Sequence, residues 1–460
     1  MSEVMDKIVR ALKPFNALFK AFKDAGFQLY AVGGCVRDWV LDRNPKDIDF
    51  TTDAVPEKIK TILADNGYKV IPVGEVFGTI ATVIDRKNYE ITTFRVKESY
   101  TRGSRHPIVC YGNELALDLE RRDLTINAMA ATEAGEIIDP FGGLSDLQEG
   151  VLRVPRSSYA RSLEIFGDDP LRILRLARFK SRLGFSVCED ATKAASEMAG
   201  SVLTVSHERW FAEIDGLLNA MNPVDGIQWL CESGIWQMLF PETVLMFDTH
   251  CEAGDLSGTT IEKSSQDLWM QTLHRVKCAP PDGNMRWAAL LSLTGYAVSR
   301  EGVWAEQVSC MLAMDILSRL KLSNARIQSI LNLLTVLPPG LPNDRTAREL
   351  AIVLNDSIES WLKFQEVRLE TIKLSARDAE NKRLESWKNA LKPFIDVPGC
   401  AEIKLPAGLS AKLSETLGLR GKTLGLCLTH CREAVLDKYL SEQDPVETFV
   451  EWVRDHFETM

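Results

Sequence analysis

Apolar positions recur at helical spacing through residues 1–28, and a short apolar run, LYAVGG, then closes on Gly33 and Gly34. CVRDWVL reads as a helix start, KDIDFTTDA alternates like a strand, and PEKIKTILADNG reads as a helix ended by Gly67. YKVIPVG, GTIATVID and NYEITTFRV are rich in Val, Ile and Thr and read as further strands. The first 155 residues are therefore expected to be mixed α/β. From about residue 156 the strand signals fade and long helical patterns take over. Breaks near residues 250–264, 278–284, 338–345 and 398–408 divide this helical part into subdomains, and no fixed-period repeat is evident.

A chain of 460 residues is long enough for more than one core, and 45% hydrophobic with 26% charged residues is an ordinary globular composition. No uninterrupted apolar run is long enough to span a bilayer, and the opening MSEVMDKIVRALK lacks an apolar signal core, so the cytoplasm is the expected location. The ten cysteines include no CxxC pair. Cys427 and Cys431 flank His430 at a spacing that reads as one helix face rather than as a zinc site, which usually takes four ligands. The net charge of −10 argues mildly against nucleic-acid binding, because phosphate contacts need positive charge. Against that stands a concentration of basic residues: Arg121, Arg122, Arg153, Arg156, Arg161, Arg172, Arg175, Arg178, Lys180 and Arg182. These are either solvated helix faces or a local basic surface on an acidic protein.

Asp47 and Asp49 flank Ile48 in the expected strand, and a period of two would put both carboxylates on one face with Ile48 toward the core. Two hard oxygen ligands on a rigid strand suit Mg²⁺, which takes its remaining ligands from water and substrate phosphates, and a two-metal site of this kind serves phosphoryl transfer. Upstream, Gly33 and Gly34 let the backbone approach a triphosphate, and the helix that follows offers N–H groups and Arg37 to it. Glu90 on a neighbouring strand either completes the metal site, or deprotonates an RNA 3′ hydroxyl, or simply faces solvent.

VGGCVRD…KDIDFTTDA resembles the head signature of the class II tRNA nucleotidyltransferase and bacterial poly(A) polymerase family. RRDLTINAMA (121–130), DPFGG (139–143), DDPLRILRLARF (168–179) and SHERWFAEI (206–214) resemble its next four motifs, in order. The resemblance implies an α+β N-terminal nucleotidyltransferase head with a mixed five-stranded sheet (1–155). An all-α neck (156–220), body (221–345) and tail (346–460) would follow, the tail resembling more weakly a tRNA-binding one. It implies Mg²⁺ as cofactor, CTP and ATP as substrates and tRNA as partner. In the second motif Arg122, Asp123 and Asn127 would handle the incoming ribose and phosphates.

Asp169 and Arg172 are three apart and would share a helix face. Cytosine and adenine both present an amino donor beside a ring-nitrogen acceptor, so a carboxylate and a guanidinium can select them without a template. Guanine and uracil invert the pattern and leave the pair unsatisfied. The family motif normally opens with Glu-Asp, whereas Asp168 stands first here and puts a supporting contact in doubt. Arg175 and Arg178 follow at helical spacing and would hold the triphosphate or switch pairing between C and A, while Glu208 and Arg209 would brace the reading helix. ESYTRGSRHP (98–107), with Arg102 and Arg105, resembles the loop that A-adding members keep, although an ordinary strand connection would read alike. It favours full CCA addition, or A addition alone, over CC-only.

Residues 265–295 resemble the start of a metal-phosphohydrolase domain found in some relatives. Gln271 and Ser292-Leu293 stand where ligands belong, so no phosphatase is expected, with His274 a helix-surface residue. Alternatives are a poly(A) polymerase on this scaffold and a catalytically silent RNA-binding protein.

Overall fold

The N-terminal apolar stripe folds as two helices, α1 (Ser2–Leu12) and α2 (Asn16–Asp24), separated by a 3-10 turn at Lys13–Phe15. Pro14 sits in that turn and has no N–H to continue the first helix. Phe15 and Phe19 pack edge-on against Phe50, with ring centroids 5.1 and 5.8 Å away, and so lay α2 against the sheet. A computed structural model describes residues 2–72, 74–100, 107–258, 260–299, 302–396 and 401–456. They form two units: Met1–Val244 with Pro281–Arg286 and Ile316–Leu322, and Leu245–Pro280 with Trp287–Asp315 and Ser323–Met460.

In the first unit β1 (Leu29–Val32) leads into α3 (Gly34–Val40), then β2 (Asp49–Thr52), α4 (Pro56–Asp65), β3 (Val70–Ile71), β4 (Thr79–Ile84) and β5 (Lys87–Thr93). These are the five expected strands. A hairpin of β6 (Arg95–Tyr100) and β7 (Pro107–Tyr111) and a short helix α5 (Leu115–Glu120) follow. Two two-residue strands, β8 (Ala130–Ala131) and β9 (Ile137–Ile138), then extend the sheet to seven, in the order β3-β4-β5-β2-β1-β8-β9. The sheet is mixed: β2 runs parallel to β5, and the other neighbours are antiparallel. α6 (Gly143–Glu149) closes the head.

The helices α7 (Tyr159–Asp168), α8 (Leu171–Leu183), α9 (Glu189–Glu197), α10 (His207–Leu218), α11 (Pro223–Glu232) and α12 (Ile235–Leu239) complete most of this unit. The expected break between neck and body at 220/221 falls inside it. α11 approaches α8 so closely that a Cβ on Gly226 would lie 2.5 Å from the Ala177 carbonyl oxygen. Only glycine permits that contact.

The second unit is mostly helical, with one three-residue hairpin, Cys251–Ala253 with Ile261–Lys263, in a region expected to be all-α. Within it α13 (Leu268–Cys278) carries Gln271, whose amide donates to the carbonyls of Cys251, Gln266 and Asp267. His274 is exposed on the same helix, beside Cys278. Ser292 is buried and accepts a hydrogen bond at 2.9 Å from the equally buried Arg275. Cys427 and Cys431 face the apolar core of the C-terminal helices, while His430 turns outward to Glu433. No helix among the described residues is long and apolar enough to cross a membrane.

Candidate active site

A cleft of about 400 Å³ opens over the edges of β2, β4 and β5 and is walled on its other side by the start of α8. Asp49 and Glu90 lie on the paired strands β2 and β5, where Phe50 is opposite Ile91, so the two carboxylates stand side by side. Strand β2 begins at Asp49; Asp47 and Ile48 precede it. The expected alternation therefore starts one step later, with Asp49 exposed and Phe50 buried, and Ile48 is half-buried rather than a core residue. Desolvation by the surrounding protein raises the Asp49 carboxyl above its ordinary value. The charges of Glu90 and Asp47 add to this and Arg122 opposes it. Asp47 thus acts on the cleft electrostatically without lining it.

Neither Gly33 nor Gly34 lines the cleft. Gly33 adopts φ +80°, and a Cβ there would come within 2.9 Å of the Arg122 guanidinium. The bare backbone makes room for an arginine of the cleft. Gly34 begins α3, where an added Cβ would make only ordinary contact with Arg37. Arg37 is buried and does not line the cleft. It donates from Nε and Nη2 to Asp38 at 2.9 and 2.7 Å and from Nη1 to Asn127 Oδ1 at 2.6 Å, and its guanidinium lies 5.2 Å from the Phe179 ring centre.

Asn127 passes this order on, donating to Asp123 Oδ1 at 3.0 Å. Asp123 also accepts from the Leu124 N–H and, through Oδ2, from Arg175 Nε at 2.7 Å. Burial alone would raise the Asp123 carboxyl, but Arg175, Asn127 and Arg172 hold it well below the usual range. Arg175 is raised in turn, chiefly by Asp123. Arg178 is absent from the cleft lining and instead donates from Nε to Glu213 at 2.5 Å, joining α8 to α10.

Asp169 and Arg172 both reach the cleft, but not as two residues of one helix. Asp169 is extended, with φ −148° and ψ 102°, because Pro170 follows it and disfavours helical backbone there. Its Oδ1 accepts from the Leu171 N–H, the first of α8, at 3.1 Å, and its Oδ2 accepts from Arg209 at 2.7 Å. Arg209 thus braces Asp169 as expected, and it lines the cleft as well.

Three cleft arginines were not singled out by sequence as nucleotide contacts: Arg95, Arg121 and Arg209. Arg95 lies past the end of β5 and out of phase with Glu90 and Thr92, so no alternation marked it, and it donates to Thr79 Oγ1 at 3.1 Å. In all, six arginines (Arg95, Arg121, Arg122, Arg172, Arg175, Arg209) and four carboxylates (Asp49, Glu90, Asp123, Asp169) line the cleft, leaving an excess of two positive charges on a chain of net −10. Such a wall suits a polyanion. Arg102 and Arg105 lie outside the described residues, while Glu98–Tyr100 and Pro107 on either side belong to the β6–β7 hairpin. Among the described residues no three His, Cys, Asp or Glu side chains are grouped closely enough to hold a metal ion by themselves.

Residues 29–153 match the family model described as the poly(A) polymerase head domain, and residues 184–246 match that of the probable RNA- and SrmB-binding site of polymerase A. The CCA-adding enzyme of Bacillus licheniformis is 34% identical over 267 residues, which cover 58% of this chain and 65% of that protein. That of Staphylococcus aureus is 37% identical over 205 residues, covering 45% and 49% respectively. The chain thus spans between about half and just under two thirds of the curated relatives it matches. Among solved structures, a Bacillus stearothermophilus CCA-adding enzyme in complex with CTP superposes over 97% of this chain and 99% of its own, with 24% identity and a TM-score of 0.66. A Thermotoga maritima CCA-adding enzyme complexed with tRNA covers 99% and 98%, with 20% identity and a TM-score of 0.55. These likenesses establish a shared fold.

Proposed function

We propose that this chain is a member of the family of class II tRNA nucleotidyltransferases and bacterial poly(A) polymerases and that it adds CMP and AMP to the 3′ end of tRNA without a template. The observation that carries the reading is the convergence in one cleft of paired strand carboxylates, Asp49 and Glu90, with a wall of arginines and the Asp169/Arg172 pair. The curated relatives that this chain matches are CCA-adding enzymes, which favours tRNA over messenger RNA as the acceptor.

In the proposed reaction the RNA 3′ oxygen attacks the α-phosphorus of CTP or ATP. A new phosphodiester bond forms as the bond to the β-phosphate oxygen breaks, and pyrophosphate leaves. Asp49 and Glu90 in the cleft, with Asp47 just before the strand, would contribute to holding Mg²⁺, and substrate phosphate and water oxygens would have to supply the rest of its ligands. The donor set fits: it is oxygen only, and the raised Asp49 carboxyl, pressed by its acidic neighbours, would be relieved by a cation. Bound Mg²⁺ supplies electrostatic stabilisation of the attacking and leaving oxygens. The arginine wall binds the triphosphate and stabilises charge moving onto pyrophosphate. Asp169 accepts from the base amino group and Arg172 donates to the ring nitrogen, which admits C and A and leaves the pair unsatisfied with G and U.

The test is extension of a tRNA transcript lacking CCA, followed at single-nucleotide resolution with CTP, ATP and both, and repeated on a transcript ending in CC. Growth to CCA followed by arrest is expected. Stopping at CC, or adding only A to the CC transcript, would mean that a partner enzyme completes the end. A long A ladder would move the chain to the poly(A) polymerases. Asp47→Ala run alongside should bind tRNA and extend nothing; binding without extension in the unaltered chain would leave a silent RNA-binding protein.

A further inference from the structure

Asp118 touches neither metal nor substrate in the reaction above, and none of its surface reaches solvent. Yet one wall of the cleft is assembled on it. Its Oδ1 accepts from Arg121 Nε at 3.1 Å, from Arg121 Nη2 at 2.8 Å and from the Arg95 backbone N–H at 3.1 Å. Its Oδ2 accepts from Arg122 Nη2 at 3.0 Å and from Thr51 Oγ1 at 3.4 Å. Helix α5, the first residue of β6 and the strand that carries Asp49 thus meet on one carboxylate. A buried charge is costly unless it is paired and hydrogen-bonded, and each of these bonds ends on a group of the cleft wall or on the strand behind it.

We propose that Asp118 is a positioning residue for the polyphosphate of the incoming nucleotide, fixing Arg121, Arg122 and the backbone of Arg95 in a preformed array. The proposal rests on the nucleotidyl-transfer reading. Two guanidinium charges share one carboxylate, so a net charge of about +1 remains at this wall for a phosphate to meet. A mobile arginine must give up its rotamer freedom on binding, whereas one held beforehand has already lost it. Gly33 works to the same end, because its missing Cβ leaves the space that the Arg122 guanidinium occupies.

The experiment compares the full-length protein with Asp118→Asn and Asp118→Ala. It measures KM and kcat for CTP on tRNA lacking CCA, binding of inorganic triphosphate without RNA, and the thermal midpoint. For Asp118→Asn, KM should rise about tenfold and triphosphate affinity fall by a similar factor, with kcat changing by less than about threefold. In an Arg121→Ala/Arg122→Ala background the same substitution should add less than about twofold, because the groups it positions are gone. Unchanged KM and triphosphate affinity in a folded Asp118→Asn protein would overturn the proposal, as would an undiminished penalty without the two arginines. A lower thermal midpoint alone would mean a purely structural role and would overturn it too. Should neither Asp118 variant fold, Arg122→Lys decides: it keeps the cation but loses the planar fork, so KM must still rise. If the chain extends no RNA at all, the triphosphate arm still tests Asp118 separately from the proposed function.

Discussion

Asp118 and Asp123 are acids that the fold keeps ionised against their burial, and that has a consequence for stability. Asp118 is held at about 2, where burial raises it and Arg122 and Arg121 more than reverse the effect. In the unfolded chain an aspartate titrates near ~3.9. A lowered folded-state value contributes stability that is fully present above about pH 4 and is lost as the pH falls toward 2, on the order of 2 kcal/mol for this group. Urea unfolding of the unaltered protein should therefore weaken more steeply between about pH 4 and 2 than that of Asp118→Asn. Parallel profiles would show that the ion pairs do not hold in solution. Asp49, Glu90, Asp169 and Arg172 were legible in the sequence and do meet in the cleft. The role of Asp118 was not. Its spacing of three and four residues before Arg121 and Arg122 looks like an ordinary helix pair until β2 and β6 fold onto the same carboxylate.

Helix α8 is held at its start and along its middle by residues of other elements. Asp169 accepts from the N–H of its first residue, and Glu213 of α10 receives Arg178 and lies 3.8 Å from Arg175. Glu213 is buried while the two arginines are partly exposed. Glu213→Ala is expected to cost about 2 kcal/mol, less than a fully buried pair would, by leaving two guanidinium groups facing each other. Glu213→Gln should recover part of that loss. An alanine variant within about 0.5 kcal/mol of the parent in chemical denaturation would mean that the α8–α10 contact is carried by packing alone. Strands β1 to β5 were readable because four or more branched or alternating residues mark most of them. β8 and β9 were not: like β3 they are two residues long, but they lack the flanking apolar alternation of YKVIPVG that marked β3. The extended backbone of Asp169 was readable in principle: a residue that precedes proline seldom continues a helix, and the periodicity of DDPLRILRLARF obscured that rule.

Over the whole molecule, a net charge of −10 coexists with a cleft in which arginines outnumber acids, so bulk charge was a poor guide to the ligand. The motif order revealed the head and neck, but the compact units do not follow the expected divisions, because α11 is locked to α8 by a glycine contact no periodicity encodes. In the other unit Gln271 and Ser292, expected from the sequence to stand in place of phosphohydrolase ligands, have structural duties. Gln271 ties three backbone carbonyls, and Ser292 accepts from Arg275. Added Ni²⁺ or Mn²⁺ is therefore expected to elicit no 2′,3′-cyclic phosphodiesterase activity, and robust turnover in that assay would refute the reading. Arg275 also bears on how such a site could change over time. Its guanidinium is buried between Ser292 and Thr371, and burial lowers its pKa to about 10, still cationic at neutral pH. A histidine placed at position 292 would displace the hydroxyl that Arg275 donates to, and a divalent ion arriving there would meet a resident cation. A metal centre at this place would need the arginine removed as well as ligands supplied, so no single substitution creates one.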